Sequence, residues 1–315
     1  MLAIYQVTAP FFALILCGYL AARFRLLPDN AVPALNTFVL YFALPCLLFR
    51  FSARTPFDEL VNLPVFFAYL ATGLALFAAV AVLVRRVARE SLRDAAFAAL
   101  AGSWSNWGYM GFALLPPILG KAALAPLIAA GMADLLVLVS LALALSALQD
   151  HHGADFGVAL GGVLARVTQN PMIWSVIAGG AFSAAQLELW QPADHLTQLL
   201  GEAAVPVALF TIGVSLYRPG TRVARTDVLL IAGAKLLAHP YLAALIAVYV
   251  FHLPQLEMRT LVLAAALPVA GTVFLFAERQ GANAERISAV ILVSTALAFL
   301  SFSALCWAFG LRVSA

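Results

Sequence analysis

Charge is what this chain has least of. Only 10% of its 315 residues are Asp, Glu, Lys or Arg, against 64% hydrophobic residues. A soluble domain carries about 25% charged residues, so this chain cannot clothe a water-facing surface. Cysteine is scarce as well. Cys17, Cys46 and Cys306 all fall inside apolar runs, at spacings that suit neither a disulfide framework nor a zinc site. They read as small packing residues. There is no H-E-x-x-H pair, no G-x-S-x-G elbow and no Gly-rich phosphate loop with a lysine. An enzyme is therefore not expected, nor a cofactor, nor transport driven by ATP on this chain alone. The net charge of +3 is small and forms no basic stripe, which argues against nucleic acid as a partner.

What is there is a series of ten apolar runs, at approximately 3–22, 34–53, 63–84, 95–119, 122–148, 157–185, 198–217, 227–251, 260–279 and 286–310. Runs of about 20 apolar residues match the hydrocarbon core of a bilayer. Lipid offers the backbone no hydrogen-bond partner, so such runs must be helices. The expectation is an all-α, multi-pass membrane protein with the bilayer itself as a partner. The first run has no basic segment before it and no small-residue cleavage site after it, and reads as a retained helix.

Basic residues concentrate in cytoplasmic loops. With the N-terminus outside, twelve basic loop residues, among them Arg23, Arg85 and Arg279, lie inside and five lie outside. The count predicts ten crossings of the cell inner (plasma) membrane, with both termini on the outer, periplasmic face.

The halves echo each other. Val7-Thr8 and Val167-Thr168 are 160 residues apart, while Pro10 and Pro171, and Pro45 and Pro206, are 161 apart. The reading is two five-helix repeats, 1–150 and 157–315. An odd number of helices inverts the second repeat in the membrane, an architecture of many secondary transporters.

Such carriers bind solutes at interrupted helices, where freed N–H groups attract anions and freed carbonyls attract cations. The fourth run crowds Gly102, Ser103, Ser105, Asn106, Gly108 and Gly111 into ten residues, all poor helix formers. The ninth run, fourth of its half, carries Pro268, Gly271 and Thr272; a proline lacks the N–H that a helix interior needs. Matched positions point to paired breaks, with Ser105, Asn106, Gly108, Pro268, Gly271 and Thr272 as substrate-binding candidates. The alternative is that these residues only permit kinks or tight packing. Pro45 and Pro206, in the second and seventh runs, are hinge candidates together with Pro268.

Ionisable residues inside a membrane are costly and mark functional sites. Lys235 lies within the eighth run, with His239 one turn later, and Asp134 is midway along the fifth. Lys235 carries substrate or coupling charge, makes a structural bond to freed carbonyls or to an acid, or snorkels toward the interface. Asp134 is a pairing or coupling charge or a water-accessible bystander, and His239 a packing residue or a relay. Glu202 and Glu278 sit near run ends. A buried lysine requires an anion, which favours a small carboxylate substrate.

Taken in order, FFALILCGYLAARFRLLPDNAVPALNTFVLYFALPCLLF, NWGYMGFALLPPILG, NPMIWSVIAGG, VPVALFTIGVSL, KLLAHP and ALPVAGTVFLFAERQG resemble the auxin efflux carrier family over nearly the full length. The likeness is to bacterial members of the malate and malonate permease type. The resemblance implies two inverted five-helix repeats. It implies crossing, broken helices four and nine, as in sodium/bile-acid symporters and sodium/proton antiporters, and scaffold and transport subdomains each drawn from both repeats. On matching positions Asn106 and Gly108 would be the crossing residues of helix four, and Pro268 the break of helix nine. Trp107 departs from the small or hydroxyl residue common after the crossing Asn. Gly271-Thr272 stand where an Asn often follows the proline. The expected function is a secondary transporter of small organic anions working by alternating access. The alternatives are a sodium-coupled symporter of an amphipathic anion and, behind it, a channel. Proton or sodium as the coupling ion, and a homodimer as the assembly, are left open.

Overall fold

The computed structural model describes residues 2–28, 30–60, 62–150, 171–217 and 226–311. Among them, every named element is helical: α1 (Leu2–Arg23), α2 (Ala31–Arg54), α3 (Leu63–Val87), α4 (Leu92–Ser103), α5 (Phe112–Leu119), α6 (Lys121–Gln149), α7 (Pro171–Ala184), α8 (Gln191–Leu216), α9 (Thr226–Val250), α10 (Gln255–Ala265), α11 (Thr272–Arg279) and α12 (Ala284–Ala308). A single helical turn, Phe57–Leu60, precedes α3. Six helices (α2, α3, α6, α8, α9 and α12) are long and apolar enough to cross a membrane. The chain is a polytopic membrane protein whose described elements are all helical. Arg166, Arg218, Arg222, Arg225 and Arg312 of the loop count, Val167-Thr168 of the repeat, and most of the sixth run's first half lie outside the described residues.

Helix starts follow local chemistry. Asn62 caps α3 by accepting from the Val65 N–H at 3.1 Å, Ser91 caps α4 from Asp94 N–H at 3.0 Å, and Asn283 caps α12 from Arg286 N–H at 3.0 Å. Each satisfies an N–H that the first turn leaves free. α8 begins at Gln191, several residues before the apolar run expected at 198, because Pro192 and Asp194 suit a first turn. Glu202 therefore lies in the body of α8, exposed and accepting from Gln198 at 2.7 Å. Wide π-turns interrupt α2 at Val39–Ala43, α6 at Asp134–Leu138 and α9 at Ala234–Ala238 and Ile246–Val250. Such bulges collect at functional sites, and two of these carry the intramembrane charges Asp134 and Lys235.

The helices pack as two groups. In one, α1 lies on α8, and α2 lies on α7 and α8. Here glycine lets backbone touch backbone. A Cβ on Gly18 would stand 1.9 Å from the Phe210 carbonyl oxygen, and a Cβ on Gly213 would stand 1.9 Å from that of Ile15. Small residues of this kind drive helix association in membranes, where no hydrophobic force separates helix from lipid. The other group is α3 with α4 and α6, and α9 with α10 and α12. Pro45 and Pro206 belong to the first group, Pro45 half-buried and Pro206 exposed on α8.

Candidate transport site

In the second group two helices stop, and the links that follow them meet. α4 ends at Ser103, and Trp104 (φ −86°, ψ 117°) takes the chain out of the helix. The Ser103 hydroxyl turns back onto the Ala99 carbonyl at 2.8 Å, the competition with helix pairing that makes serine a poor interior residue. α10 ends at Ala265, because Pro268 has no N–H and disfavours helical backbone at Leu267. Helix resumes at Trp107 on one strand of chain and at Thr272 on the other.

The two links pair with each other. Ser105 and Val269 form an antiparallel bridge, with Asn106 N–H donating to the Pro268 carbonyl at 2.9 Å and Ala270 N–H to that of Trp104 at 3.3 Å. Groups freed from the helices are thus satisfied across the crossing, as a buried backbone requires. The Asn106 carbonyl accepts from both Met110 N–H and Gly111 N–H, at 3.0 and 3.1 Å, which opens the wide turn Trp107–Gly111 before α5.

Outward from the bridge, Val269 N–H donates to the Ser294 hydroxyl of α12 at 3.2 Å. The Asp134 carboxylate of α6 lies near the Ser105 amide, but neither of its oxygens has a hydrogen-bond partner among the described residues. Asp134 is fully buried and within electrostatic reach of the Lys235 ammonium.

Lys235 is fully buried too. Its ammonium donates to the Ser105 hydroxyl at 2.8 Å and to the Ala265 carbonyl at 2.5 Å, and meets His239 Nδ1 at 2.9 Å. An ammonium has three protons and cannot accept. With the lysine charged, His239 Nδ1 accepts, which places the imidazole proton on Nε2. Among the described residues that nitrogen is buried without a hydrogen-bond partner. The Ser105 hydroxyl also shares a 2.7 Å hydrogen bond with the Tyr69 phenol of α3, whose ring lies 5.5 Å from that of His239. One connected polar set thus joins α3, the fourth-run link, α9 and α10.

The six substrate candidates fall on this crossing but differ in availability. Ser105 is fully buried, its hydroxyl hydrogen-bonded to Lys235 and Tyr69. Pro268 lies within the link, not at a helix start, and its carbonyl is used by Asn106. The start falls at Thr272. Asn106 is 4% exposed. Gly108, Gly271 and Thr272 are partly exposed. A Cβ on Gly271 would meet nothing within 4 Å, and one on Gly108 only the Met172 methyl of α7 at 3.9 Å. Neither glycine has a positive φ, so neither packing nor backbone strain accounts for them. Trp107, the unexpected bulk, is turned away: its indole fills a notch at Gly131 of α6, where a Cβ would stand 2.2 Å from the ring.

Tyr69 and Ser294 were not legible as site residues, since single hydroxyls in apolar runs carry no pattern. Nor was a cluster at the other ends of these helices. There Arg286 of α12, buried at 2% exposure, faces Glu90 at 3.1 Å, Asp227 at 3.6 Å and Asp94 at 3.9 Å. It ties together the first turns of α4, α9 and α12. Cavities of about 330 Å³ (beside Leu119, Gln255 and Arg259) and about 550 Å³ (beside Gln191, Asp194 and Gln198) lie at helix ends, away from the crossing.

Known proteins resemble this chain throughout. The model of the family described as membrane transport protein matches residues 3–151 and 156–306. A Rhizobium meliloti (strain 1021) protein named "Putative malonate transporter" is 33% identical over 297 residues, 94% of this chain and 92% of its own. An "Uncharacterized transporter" of Methanothermobacter thermautotrophicus is 27% identical over 291 residues, 91% of this chain and 92% of its own. The "Uncharacterized transporter YfdV" of Escherichia coli (strain K12) is 25% identical over 300 residues, 90% of this chain and 91% of its own.

Proposed function

This chain belongs to the membrane transport protein family, that of the auxin efflux carriers, and we propose that within it the protein is a secondary transporter of small organic carboxylates. Family membership makes it a transporter and not an enzyme. The carboxylate class draws support from the relative named for malonate and from the charge at the crossing.

The observation that carries the reading is the pair of glycines without a structural reason. Gly108 and Gly271 flank the crossed links, and both leave room beside the backbone. Gly271 immediately precedes α11, where the Val273 and Phe274 N–H groups turn back onto the Ala270 and Gly271 carbonyls at 3.1 and 3.2 Å, so a solute would be met by the amides before them, those of Gly271 and Thr272. A carboxylate pressed against that start would meet N–H donors and the positive end of the helix. Asn106 and Thr272 supply further polar contacts. A side chain larger than hydrogen at 108 or 271 would take the solute's place. Lys235 stands one layer behind, its charge reaching the solute through Ser105 and the α10 carbonyl end rather than by contact.

In this reading the ten apolar runs are ten crossings in two inverted repeats, 1–150 and 157–315, in the inner membrane with both termini outside. The α1, α2, α7 and α8 group is the scaffold, with Pro45 and Pro206 as its hinge positions. The crossing moves against it, exposing the solute to each side in turn. Met172, the scaffold atom nearest Gly108, marks the surface across which the solute travels.

The test is counterflow of radiolabelled malonate in proteoliposomes. Wild-type protein is expected to exchange malonate saturably, and Gly271→Val to fold but lose exchange. Unchanged exchange by Gly271→Val would move the site elsewhere, and single-channel current in place of exchange would replace the carrier with a pore.

A further inference from the structure

We infer that Lys235 is a resident counter-cation, fixed at the carbonyl end of α10 where a carrier of this architecture would hold a coupling sodium ion, so that transport proceeds without sodium. The inference rests on the carrier reading for its consequence but on the geometry of Lys235 for its substance.

Unwound carbonyls and half-helix C-terminal ends are where secondary transporters coordinate a coupling cation. Here α10 ends at Ala265, and the carbonyl of that residue receives the Lys235 ammonium at 2.5 Å. The last carbonyls of a helix carry partial negative charge, and a cation there is stabilised by it. The Ser105 hydroxyl, 2.8 Å from the same ammonium, is the kind of oxygen that would complete an alkali-ion shell. The third position is His239 Nδ1 at 2.9 Å. Nitrogen is a poor ligand for a hard cation and a good acceptor from an ammonium. That donor set therefore fits the lysine better than it fits sodium.

The charge balance agrees. Asp134 is the buried carboxylate in electrostatic reach of this point, and it is matched by the lysine's own charge. A second cation beside it would leave an unbalanced positive charge in a low-dielectric site, which is costly. A sodium ion arrives and leaves with each cycle, whereas this cation is bonded to α9 and cannot leave. The π-turn Ala234–Ala238 offsets the backbone at Lys235. That bulge adjusts the reach of the side chain toward α10, which packs against the same helix.

The purified protein is tested first for stability. Its melting temperature is expected to be the same in sodium chloride and in choline chloride at equal ionic strength, because choline is too large for the site and sodium finds it filled. In Lys235→Ala the vacated carbonyl and hydroxyl are expected to accept a small cation. Its melting temperature should fall below wild type and recover partly with sodium or methylammonium, but not with choline. Stabilisation of the wild type by sodium over choline would overturn the inference even if the variant fails to fold. Indifference of a folded Lys235→Ala to all three cations would overturn it as well. In proteoliposomes, malonate counterflow by the wild type should change less than about twofold when sodium is replaced by choline, against the roughly 5- to 150-fold that thermodynamic coupling between two ligands typically amounts to. Stimulation in that coupled range would also sink it. Absence of malonate exchange in every medium, with sodium-indifferent melting, would leave the cation assignment standing and remove the substrate reading instead.

Discussion

Asp134 and Ser294 stand at the two strands of one bridge. Ser294 accepts from the Val269 N–H at 3.2 Å, whereas the Asp134 carboxylate lies near the Ser105 amide without completing a hydrogen bond among the described residues. In the proposed two-repeat reading they correspond, being 160 positions apart like Val7-Thr8 and Val167-Thr168. One is a carboxylate and the other a hydroxyl, and Lys235 is the charge that requires an anion nearby.

Removing Asp134 should therefore be worse than removing Ser294. Asp134→Asn leaves a buried ammonium without its counter-charge, at a cost of about 3–5 kcal/mol. Ser294→Ala loses one neutral hydrogen bond, about 1 kcal/mol. Adding Lys235→Met to Asp134→Asn should recover most of the stability and none of the transport. Thermal unfolding in detergent, read beside malonate counterflow, separates the two effects. Equal losses from the two single variants would remove the pairing of Asp134 with Lys235.

Glycine substitutions should sort by location. Gly271→Ala meets open space and Gly108→Ala only an ordinary contact with the Met172 methyl at 3.9 Å, so both are expected to melt close to wild type. The larger Gly271→Val should abolish exchange. Gly131→Ala drives a methyl into the Trp107 indole, and overpacking of this kind costs about 1–3 kcal/mol. Parallel melting curves check the order, which fails if Gly131→Ala is as stable as Gly271→Ala.

Arg286 is expected to matter for stability although it is remote from the crossing. With three carboxylates facing one buried guanidinium, Arg286→Met leaves them mutually repelling, and the loss should be of the order of 3 kcal/mol or more. Arg286→Lys keeps the charge but not the planar fork and should recover only part. Yield of monodisperse protein and its melting temperature provide the readout; a wild-type profile for Arg286→Met would show the cluster to be idle.

Topology can be read by thiol labelling. In a variant with Cys17, Cys46 and Cys306 replaced by serine, Gln186→Cys should react with a membrane-impermeant maleimide added to intact cells. Arg89→Cys should react only after permeabilisation. The reverse pattern would invert the orientation drawn from basic loop residues.

Much of this arrangement was legible in the sequence because lipid is a strict solvent. Apolar runs must be helices there, so the helical class and most helix limits follow from composition alone. Pro268 and the glycine- and serine-rich stretch around Asn106 announced where helix pairing fails, since each lacks something that a helix interior needs. Partner choice was less legible. The sequence places Lys235 in an apolar run but says nothing of Ser105, Tyr69 or Ala265, which reach it from other helices. Ser105, a solute-contact candidate in the sequence, is hydrogen-bonded to the Lys235 side chain. The seat of Trp107 was not legible, because its notch at Gly131 is a relation between two helices that neither segment reveals. The start of α8 at Gln191 lay hidden by polar residues that serve a helix's first turn as well as they serve a loop.

The reciprocal contact of Gly18 and Gly213 has a mechanical consequence. Two backbones that touch at both points cannot slip past each other by a residue, because any neighbouring side chain would collide. α1 and α8 behave as one stiff plank. A pair of spin labels, one on each, should keep a constant separation throughout the working cycle, while a pair placed on α8 and α11 should report the stroke.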